Sequence, residues 1–446
     1  MQNLDGTVVA TALPAMAETF GARPLEMNLA LTSYLLSLAV FIPVSGWMAD
    51  RFGSRTVFRA AIAVFTLGSV LCGWSDTLSA LVASRIVQGL GGAMMVPVGR
   101  LVLLRSVAKS ELVAAMAWLT VPALIGPVIG PPLGGFLVTY ATWRWIFTIN
   151  VPIGILGIVL VSLYVDELKA DTPGRLDAVG LVLAGIALSG IPFGSEMLGR
   201  GVDRPGLVIA CIGAGLGAGF AYFWHARRRP DPLLDLTLLK IPTFAVAVLA
   251  GTLFRVGVGA IPFLLPLMFQ IGFGDSAAQS GLVTFASAIG AIIMKPAAQR
   301  ALRAFGFRGT LFWNAIASAC GVALCATFRT WWPLAGIYAA LILGGFFRSL
   351  QFTAYNTVAY ADIPRSRMSA ATSLYATIQQ LSLTFGVTIG TSALAISSHY
   401  NGHASLQVGD FAFAFVVVAL LMLLAAPASL LMPADAGAEV SGHHSR

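Results

Sequence analysis

Arg85-Ile86-Val87-Gln88-Gly89-Leu90-Gly91-Gly92 lies inside an apolar run that extends from about residue 78 to residue 104. A run of that length matches the roughly 20 apolar residues that a helix needs to cross a bilayer. An arginine within such a run is costly, and the cost marks it as functional until shown otherwise. It demands a counter-charge. Asp5, in the apolar N-terminal segment, is the expected partner, and the pair would also hold two helices together.

Composition carries this reading to the whole chain. Of 446 residues, 57% are hydrophobic and only 10% charged, against roughly 25% charged in a soluble domain. The chain is an all-α membrane protein. Cys72, Cys211, Cys320 and Cys325 all fall in apolar runs, which excludes a disulfide framework or a zinc site. No Walker A sequence is present, so ATP-driven transport lacks its machinery. Gly213 to Gly219 is glycine-rich but follows no strand, so it is no dinucleotide loop.

Thirteen spans are predicted, the run above among them, near 28–48, 57–74, 78–104, 113–140, 144–165, 177–198, 206–225, 242–271, 276–294, 309–328, 331–352, 368–397 and 410–432. The N-terminal stretch from Leu4 to Ala17 would be a fourteenth. At 1.5 Å per residue it reaches only about 21 Å, short of the roughly 30 Å hydrocarbon core. With it counted first, eighteen of the 27 Lys and Arg fall in loops on one side, including Arg51, Arg55, Arg105, Lys109, Lys295 and Arg446. Arg23, Arg144, Arg200, Arg204 and Arg329 lie on the other side, and Arg85, Arg100, Arg255 and Arg348 fall within spans. The basic side is expected to be cytoplasmic, with both termini there. The net charge of +8 is then an orientation signal and calls for no nucleic acid.

The expected organisation is a six-span bundle over 1–165, a linker with two extra spans over 166–241, a second six-span bundle over 242–433, and a short polar tail over 434–446 expected to be disordered. A weak repeat supports two related halves: Asp50-Arg51-Phe52-Gly53-Ser54-Arg55 is echoed by Arg303-Ala304-Phe305-Gly306-Phe307-Arg308. Internal repeats of this kind are a feature of secondary transporters, whose substrate site lies between the halves. Gly46-Trp47-Met48-Ala49-Asp50-Arg51-Phe52-Gly53-Ser54-Arg55 is a glycine-containing turn in which Asp50 is placed to meet an arginine or a helix N-terminus. Gly126, Gly130 and Gly134 share one helical face, interrupted by Pro131 and Pro132, a pattern that allows close packing and a kink.

These stretches resemble the major facilitator superfamily, and within it the fourteen-helix drug:proton antiporters. Gly46 to Arg55 is similar to the family's G-x-x-x-D-R-x-G-x-R loop, and Arg85 to Gly92 to its R-x-x-Q-G-x-G motif. Gly126-x-x-x-Gly130-Pro131-x-x-Gly134-Gly135 is similar to its antiporter signature. Leu4-Asp5-Gly6-Thr7 with Ala12-Leu13-Pro14 resembles the first-helix motif, with Ala10 in place of its Asn. Trp143-Arg144-Trp145 and the stretch from Phe147 to Gly154 resemble the entry to the sixth helix. The resemblance implies proton-coupled export of small molecules by alternating access in the bacterial inner membrane, by a monomer without a cofactor. It implies Asp5 as proton carrier with Arg85 as partner. It makes Gly46, Asp50, Arg51, Gly53 and Arg55 the gating loop, and Gly126, Gly130, Pro131, Gly134 and Gly135 the pivot face. Family members carry most of a helix before the L-D motif, whereas this sequence begins three residues before it; the true start is expected upstream.

Within the spans the acidic residues are Asp5 and, near an end, Glu196. Arg100 is close enough to the cytoplasmic end to snorkel. Arg255 and Arg348 lie deeper without an evident carboxylate, so the cavity is expected to favour an anionic or zwitterionic substrate, an organic acid or a metal–carboxylate complex. Gln88, Gln270, Gln351, Asn356, Gln379 and Gln380 are candidate lining residues, with Phe254, Phe263, Phe269 and Tyr355 as apolar walls. His399 and His403 are expected to be solvated rather than metal-bound. Uptake by symport, or a sensor built on a transporter fold, are the competing readings; clustered catalytic groups, which a membrane enzyme would need, are not found.

Overall fold

The computed structural model describes residues 1–21, 24–108, 111–169, 174–199, 205–403 and 406–442. Arg23, Lys109, Arg200, Arg204 and Arg446 lie outside the described residues, as do the side chains of Pro131 and Glu196. The described residues are helical with short turns and contain no strand. Each expected span falls on a helix. Nine helices among the described residues are long and apolar enough to cross a membrane, or ten if one bent pair counts as a single span.

The N-terminal helix is longer than expected. α1 covers Gln2–Phe20 and stops at Gly21, whose φ of 60° ends it. Its nineteen residues reach about 28 Å at 1.5 Å each. The flanking polar residues extend the helix because backbone hydrogen bonding continues where hydropathy fades.

α2 (Pro24–Phe41) passes through a 3-10 turn into α3 (Ser45–Phe52), and α4 (Ser54–Gly73), α5 (Leu78–Ser106) and α6 (Leu112–Tyr140) follow. α7 (Trp145–Thr148) and α8 (Asn150–Tyr164) complete the first bundle, in which α5 packs between α2 and α4. The glycines after Arg85 make this possible. A Cβ on Gly89 would sit 2.5 Å from Ser37 Cβ, and one on Gly68 2.6 Å from Gln88 Cα. Backbones approach where side chains are absent.

The second bundle holds α11 (Pro242–Leu267), α12 (Ala277–Ile293), α13 (Lys295–Cys325), α14 (Leu334–Val358), α15 (Met368–Tyr400), α16 (Val408–Leu423) and α17 (Ala425–Ser429). α12 and α13 meet at a 54° bend. Lys295 does not stand in a loop there: it is 6% exposed, with Nζ 3.4 Å from Thr353 Oγ1. The extra pair, α9 (Ala178–Gly199) and α10 (Pro205–Arg228), packs on itself and, through α9, against α2 and α15, one helix from each bundle. The glycine-rich run lies in α10, where Gly215 abuts Ile191 of α9.

The sequence echo has a structural counterpart. Gly53 (φ 92°) and Gly306 (φ 65°) both adopt positive φ and both break a helix. Each break is also strapped by the segment that follows its bundle. Glu167 accepts from the Arg55 N–H (3.1 Å) and from Thr56 Oγ1 (2.6 Å), while Ser54 N–H donates to Leu168 O at 2.9 Å. The carboxylate thus caps the positive N-terminus of α4. In the second bundle the tail, expected to be disordered, packs down over 434–442 instead. It forms α18 (Ala438–Ser441), buries Val440 and Ser441, and touches α13 and α6. Gly437 lies against Phe307, where a Cβ would come within 2.7 Å of the ring. Glu167→Ala should lower stability by about 1 kcal/mol, the usual cost of losing a helix cap. Arg51→Ala, at an exposed position, should leave the thermal midpoint in detergent unchanged.

The extra pair is clasped at its basic end by Asp177. The carboxylate accepts from Gly180 N–H at 2.9 Å and Leu233 N–H at 3.3 Å, and meets His225 Nε2 at 2.8 Å. Burial by itself would raise its pKa; the Gly180 amide, His225 and the Leu233 amide outweigh burial and hold the carboxyl below its ordinary value. Its folded pKa is therefore lower than its unfolded one, so its contribution is fully present above the ordinary value and lost as pH falls through the lowered one. Below about pH 4 the wild-type melting temperature should drop more steeply than that of Asp177→Asn, followed by tryptophan fluorescence.

Candidate functional site

α1, α5 and α8 converge on a buried ion pair. Asp5 is 2% exposed and Arg85 fully buried. Arg85 Nη1 donates to Asp5 Oδ2 and to Gln88 Oε1, each at 2.5 Å, and Nε donates to the Ala30 carbonyl at 3.0 Å. Asp5 Oδ1 accepts from Gln88 Nε2 (2.8 Å) and Asn150 Nδ2 (3.1 Å). Ser69 Oγ accepts from the same two amides, at 2.7 and 3.2 Å. The guanidinium lies 4.2 Å from the Tyr34 ring centroid, a cation–π contact strengthened by desolvation. Gln88, expected to line the substrate cavity, serves this pair instead: three residues beyond Arg85, it lies on the same helical face. Asn150 and Ser69 were not singled out by sequence reasoning. Asn150 lies within a stretch that carries the resemblance, which was the available signal.

A second set of contacts joins the bundles at the basic end. Gly46 N–H donates to Ser373 Oγ at 2.8 Å, and Ser45 Oγ lies 3.0 Å from the same hydroxyl. Asp50 pairs with Arg105 at 3.0 Å and accepts from Ser369 Oγ on α15. Trp47 Nε1 donates to Gly174 O at 2.8 Å. Arg55 reaches Glu167, with Nε 3.9 Å from its carboxylate. Of the five gating-loop candidates, Gly46 and Asp50 lie on the seam between the bundles, Gly53 and Arg55 lie at the linker strap, and Arg51 stands exposed.

α6 is one continuous helix that packs against α1 in its own bundle and α12, α13 and α14 in the other. Gly126, Gly130 and Gly134 are buried on it, while Gly135 is half-buried and faces open space. Gly281 of α12 approaches Pro132 to 3.7 Å, measured from an added Cβ.

The remaining candidates separate. Gln351 bridges α13 and α14: its Oε1 accepts from Asn314 Nδ2 (2.8 Å) and its Nε2 donates to Leu311 O (2.9 Å). Gln270 is exposed, and Gln380 is half-buried. Phe254 packs against Tyr355 with ring centroids 6.0 Å apart, and Tyr355 Oη lies 2.8 Å from Ser429 Oγ. Arg348 is half-buried on α14 beside Gly344 and does not join Arg255. Arg100 does not snorkel: it is 5% exposed and crosses to the second bundle, where Nη1 donates to Tyr360 Oη and Nη2 to Gln379 Oε1, both at 3.3 Å. Its position near the end of α5 is outweighed by the hydrogen-bond acceptors across the seam. His403 is not simply solvated either, since Nδ1 lies 2.9 Å from Asp410 Oδ2. No group of three or more metal-ligating side chains occurs among the described residues.

Two bundles of membrane helices that meet along a hydrogen-bonded seam, one of them enclosing an ion pair, define the architecture of a secondary transporter. The chain belongs to the Major Facilitator Superfamily, whose family model matches residues 1–387 and, overlapping them, 247–443. It is 38% identical over 442 residues to the multidrug resistance protein MdtD of Serratia proteamaculans (strain 568), covering 98% of this chain and 91% of the relative. It is likewise 38% identical over 438 residues to MdtD of Salmonella typhimurium, covering 96% and 91%. Among solved structures it superposes on the proton:xylose symporter XylE bound to 6-bromo-6-deoxy-D-glucose (TM-score 0.65, 16% identity, 96% of this chain and 91% of the other). It superposes also on the human organic anion transporter MFSD10 (TM-score 0.68, 16% identity, 96% of each). At that identity the two structures establish the fold alone. The chain is a multi-pass membrane transporter and not an enzyme.

Proposed function

We propose that this protein is a proton-coupled antiporter that exports small molecules from the cytoplasm by alternating access. In this reading it crosses the bacterial inner membrane fourteen times with both termini inside. Residues 1–165 and 242–433 rock against each other around the linker and extra helices of 166–241. The efflux direction is supported by the relatives' multidrug resistance naming and by the glycine–proline face of α6 at the seam.

The observation that carries the coupling is the Asp5–Arg85 pair at 2.5 Å, with both side chains wholly buried. Protonating Asp5 turns a matched pair into a lone buried cation. Removing one partner of a buried pair costs about 3–5 kcal/mol, so the protonated state favours any rearrangement that rehydrates Arg85. Proton occupancy and bundle position are thereby linked. Gln88 and Asn150 hold the carboxylate in one geometry, so the proton arrives at a fixed place.

The test uses everted membrane vesicles whose lumen is acidified by respiration and reported by a quenched acridine dye. Release of quenching by at least one of two additions, ethidium or an organic acid in a parallel sample, is expected with the wild-type protein and not with Asp5→Asn. Substrate movement that leaves the proton gradient untouched would overturn antiport. Gln88→Ala should weaken coupling by about tenfold through the lost hydrogen bonds to Asp5 and from Arg85, each worth roughly 1.5–3 kcal/mol when one partner is charged, in the same assay.

A further inference from the structure

Buried arginines in this protein fall into two kinds. Arg85 has a carboxylate partner. Arg100 and Arg255 have none among the described residues, yet they are 5% and 1% exposed. Arg255, on α11, donates through Nη2 to the Tyr375 hydroxyl and lies 4.5 Å from that ring's centroid. Arg100, on α5, lies 5.6 Å from the same centroid. Two cations from opposite bundles therefore flank one tyrosine. Each guanidinium also keeps a buried N–H without a partner among the described residues: Nε of Arg100 and Nη1 of Arg255.

The backbone keeps room at this point. Gly251 lies one turn before Arg255, and a Cβ there would come within 2.9 Å of Nη1. A side chain would thus crowd the donor that has no partner. Charges taken out of water are retained when something pairs with them. A guanidinium fork fits a carboxylate or phosphate through paired N–H···O bonds, which a cationic ligand cannot supply.

We infer that Arg100 and Arg255, around Tyr375, form an anion-binding site shared by the two bundles, and that the exported substrate is an organic anion carrying a carboxylate or phosphate group. The site rests on the efflux reading above and adds the charge of the cargo to it. Of the two deep arginines expected to favour an anion, Arg255 belongs to this site and Arg348 does not; Arg100 takes the second place beside Tyr375. When the basic face opens, Arg100 leaves Tyr360 and Gln379 on the other bundle, and both forks become available to an entering anion. When it closes around that anion, one negative group offsets two cations. Closing on a cation would add a third positive charge.

The experiment follows efflux of two dyes from energised cells: carboxyfluorescein, released inside from its diacetate ester, and ethidium. Wild-type protein should export carboxyfluorescein. Arg255→Ala and Arg100→Ala should each slow that export about tenfold or more, the loss expected for a hydrogen bond to a charged group. Arg255→Lys, which keeps the charge and loses the fork, should be intermediate. Because neither arginine has a carboxylate to abandon, neither alanine variant leaves a buried charge unpaired, so both should fold and reach the membrane at wild-type levels. Ethidium export without carboxyfluorescein export would overturn the anion site and leave efflux standing. Carboxyfluorescein export unchanged in both alanine variants would also overturn it. Export of neither dye would sink the efflux reading and the anion site together.

Discussion

Asp5→Asn should abolish substrate-driven proton movement, by roughly 100-fold or more, the range by which a positioned proton-transfer group contributes to rate. Asparagine has the shape of aspartate, so its side-chain oxygen can still accept from Gln88 and Asn150. It cannot carry a titrating proton, and it leaves Arg85 as an unpaired buried cation. The single variant should therefore also be less stable, by about 3–5 kcal/mol. A double variant separates the two effects. Asp5→Asn with Arg85→Gln removes both charges and should recover most of the stability, since replacing a whole buried pair with neutral groups is often close to neutral. Its coupling should stay absent. The measurements are thermal unfolding in detergent and dequenching in everted vesicles. If the double variant restores both stability and substrate-triggered proton release, the coupling carboxylate lies elsewhere. Asp5→Glu keeps the charge but adds a methylene to a packed site, and a reduced yet coupled flux is its expected outcome.

The membrane spans were legible because crossing a bilayer imposes a length of apolar sequence on any chain, whatever its fold. The Asp5–Arg85 contact was legible for a related reason: an ion in hydrocarbon requires a counter-ion, and the apolar segments of the first bundle offer Arg85 one carboxylate. Uncharged polar residues impose no such demand. Ser69 and Asn150 could have bonded within their own helices, so beyond the resemblance that covers Asn150 nothing in the sequence points them at Asp5. The same logic explains Lys295. A lysine between two apolar runs reads as a loop, but the bend between α12 and α13 turns it inward against Thr353. Arg100 was misread because distance from a helix end is written in the sequence, while the acceptors across a seam are not. The tail was misread by composition: its few apolar residues, Val440 and Ala436 among them, are 3% and 8% exposed, and Gly437 packs against the Phe307 ring.

Gly46→Leu should block closure of the basic face while leaving both bundles folded. A Cβ at Gly46 would stand 2.6 Å from the carbonyl oxygen of Ser369 and 2.9 Å from Ser373 Oγ. The nearest obstacle is the backbone of α15, which cannot step aside as a flexible side chain can. The Gly46 N–H bond to Ser373 and the Asp50 contact to Ser369 would be lost with the approach. In the proposed cycle both bundles keep their internal packing as they swing apart, so opening would relieve the strain. Each 1.4 kcal/mol by which closure is disfavoured shifts the equilibrium about tenfold, and a steric overlap with backbone is expected to supply at least two such steps. Transport should therefore fall by about 100-fold or more at normal expression and melting temperature. A cysteine pair reports the conformation directly. Ser45 and Ser373 hydroxyls lie 3.0 Å apart across the seam, so Ser45→Cys with Ser373→Cys, in a background with Cys72, Cys211, Cys320 and Cys325 replaced, should crosslink on mild oxidation. Adding Gly46→Leu should suppress that crosslink in parallel with transport. A crosslink that forms at the original rate while transport is lost would show that Gly46 is needed for something other than closure. Transport that survives the substitution would show that the seam at Ser369 and Ser373 does not have to close in each cycle.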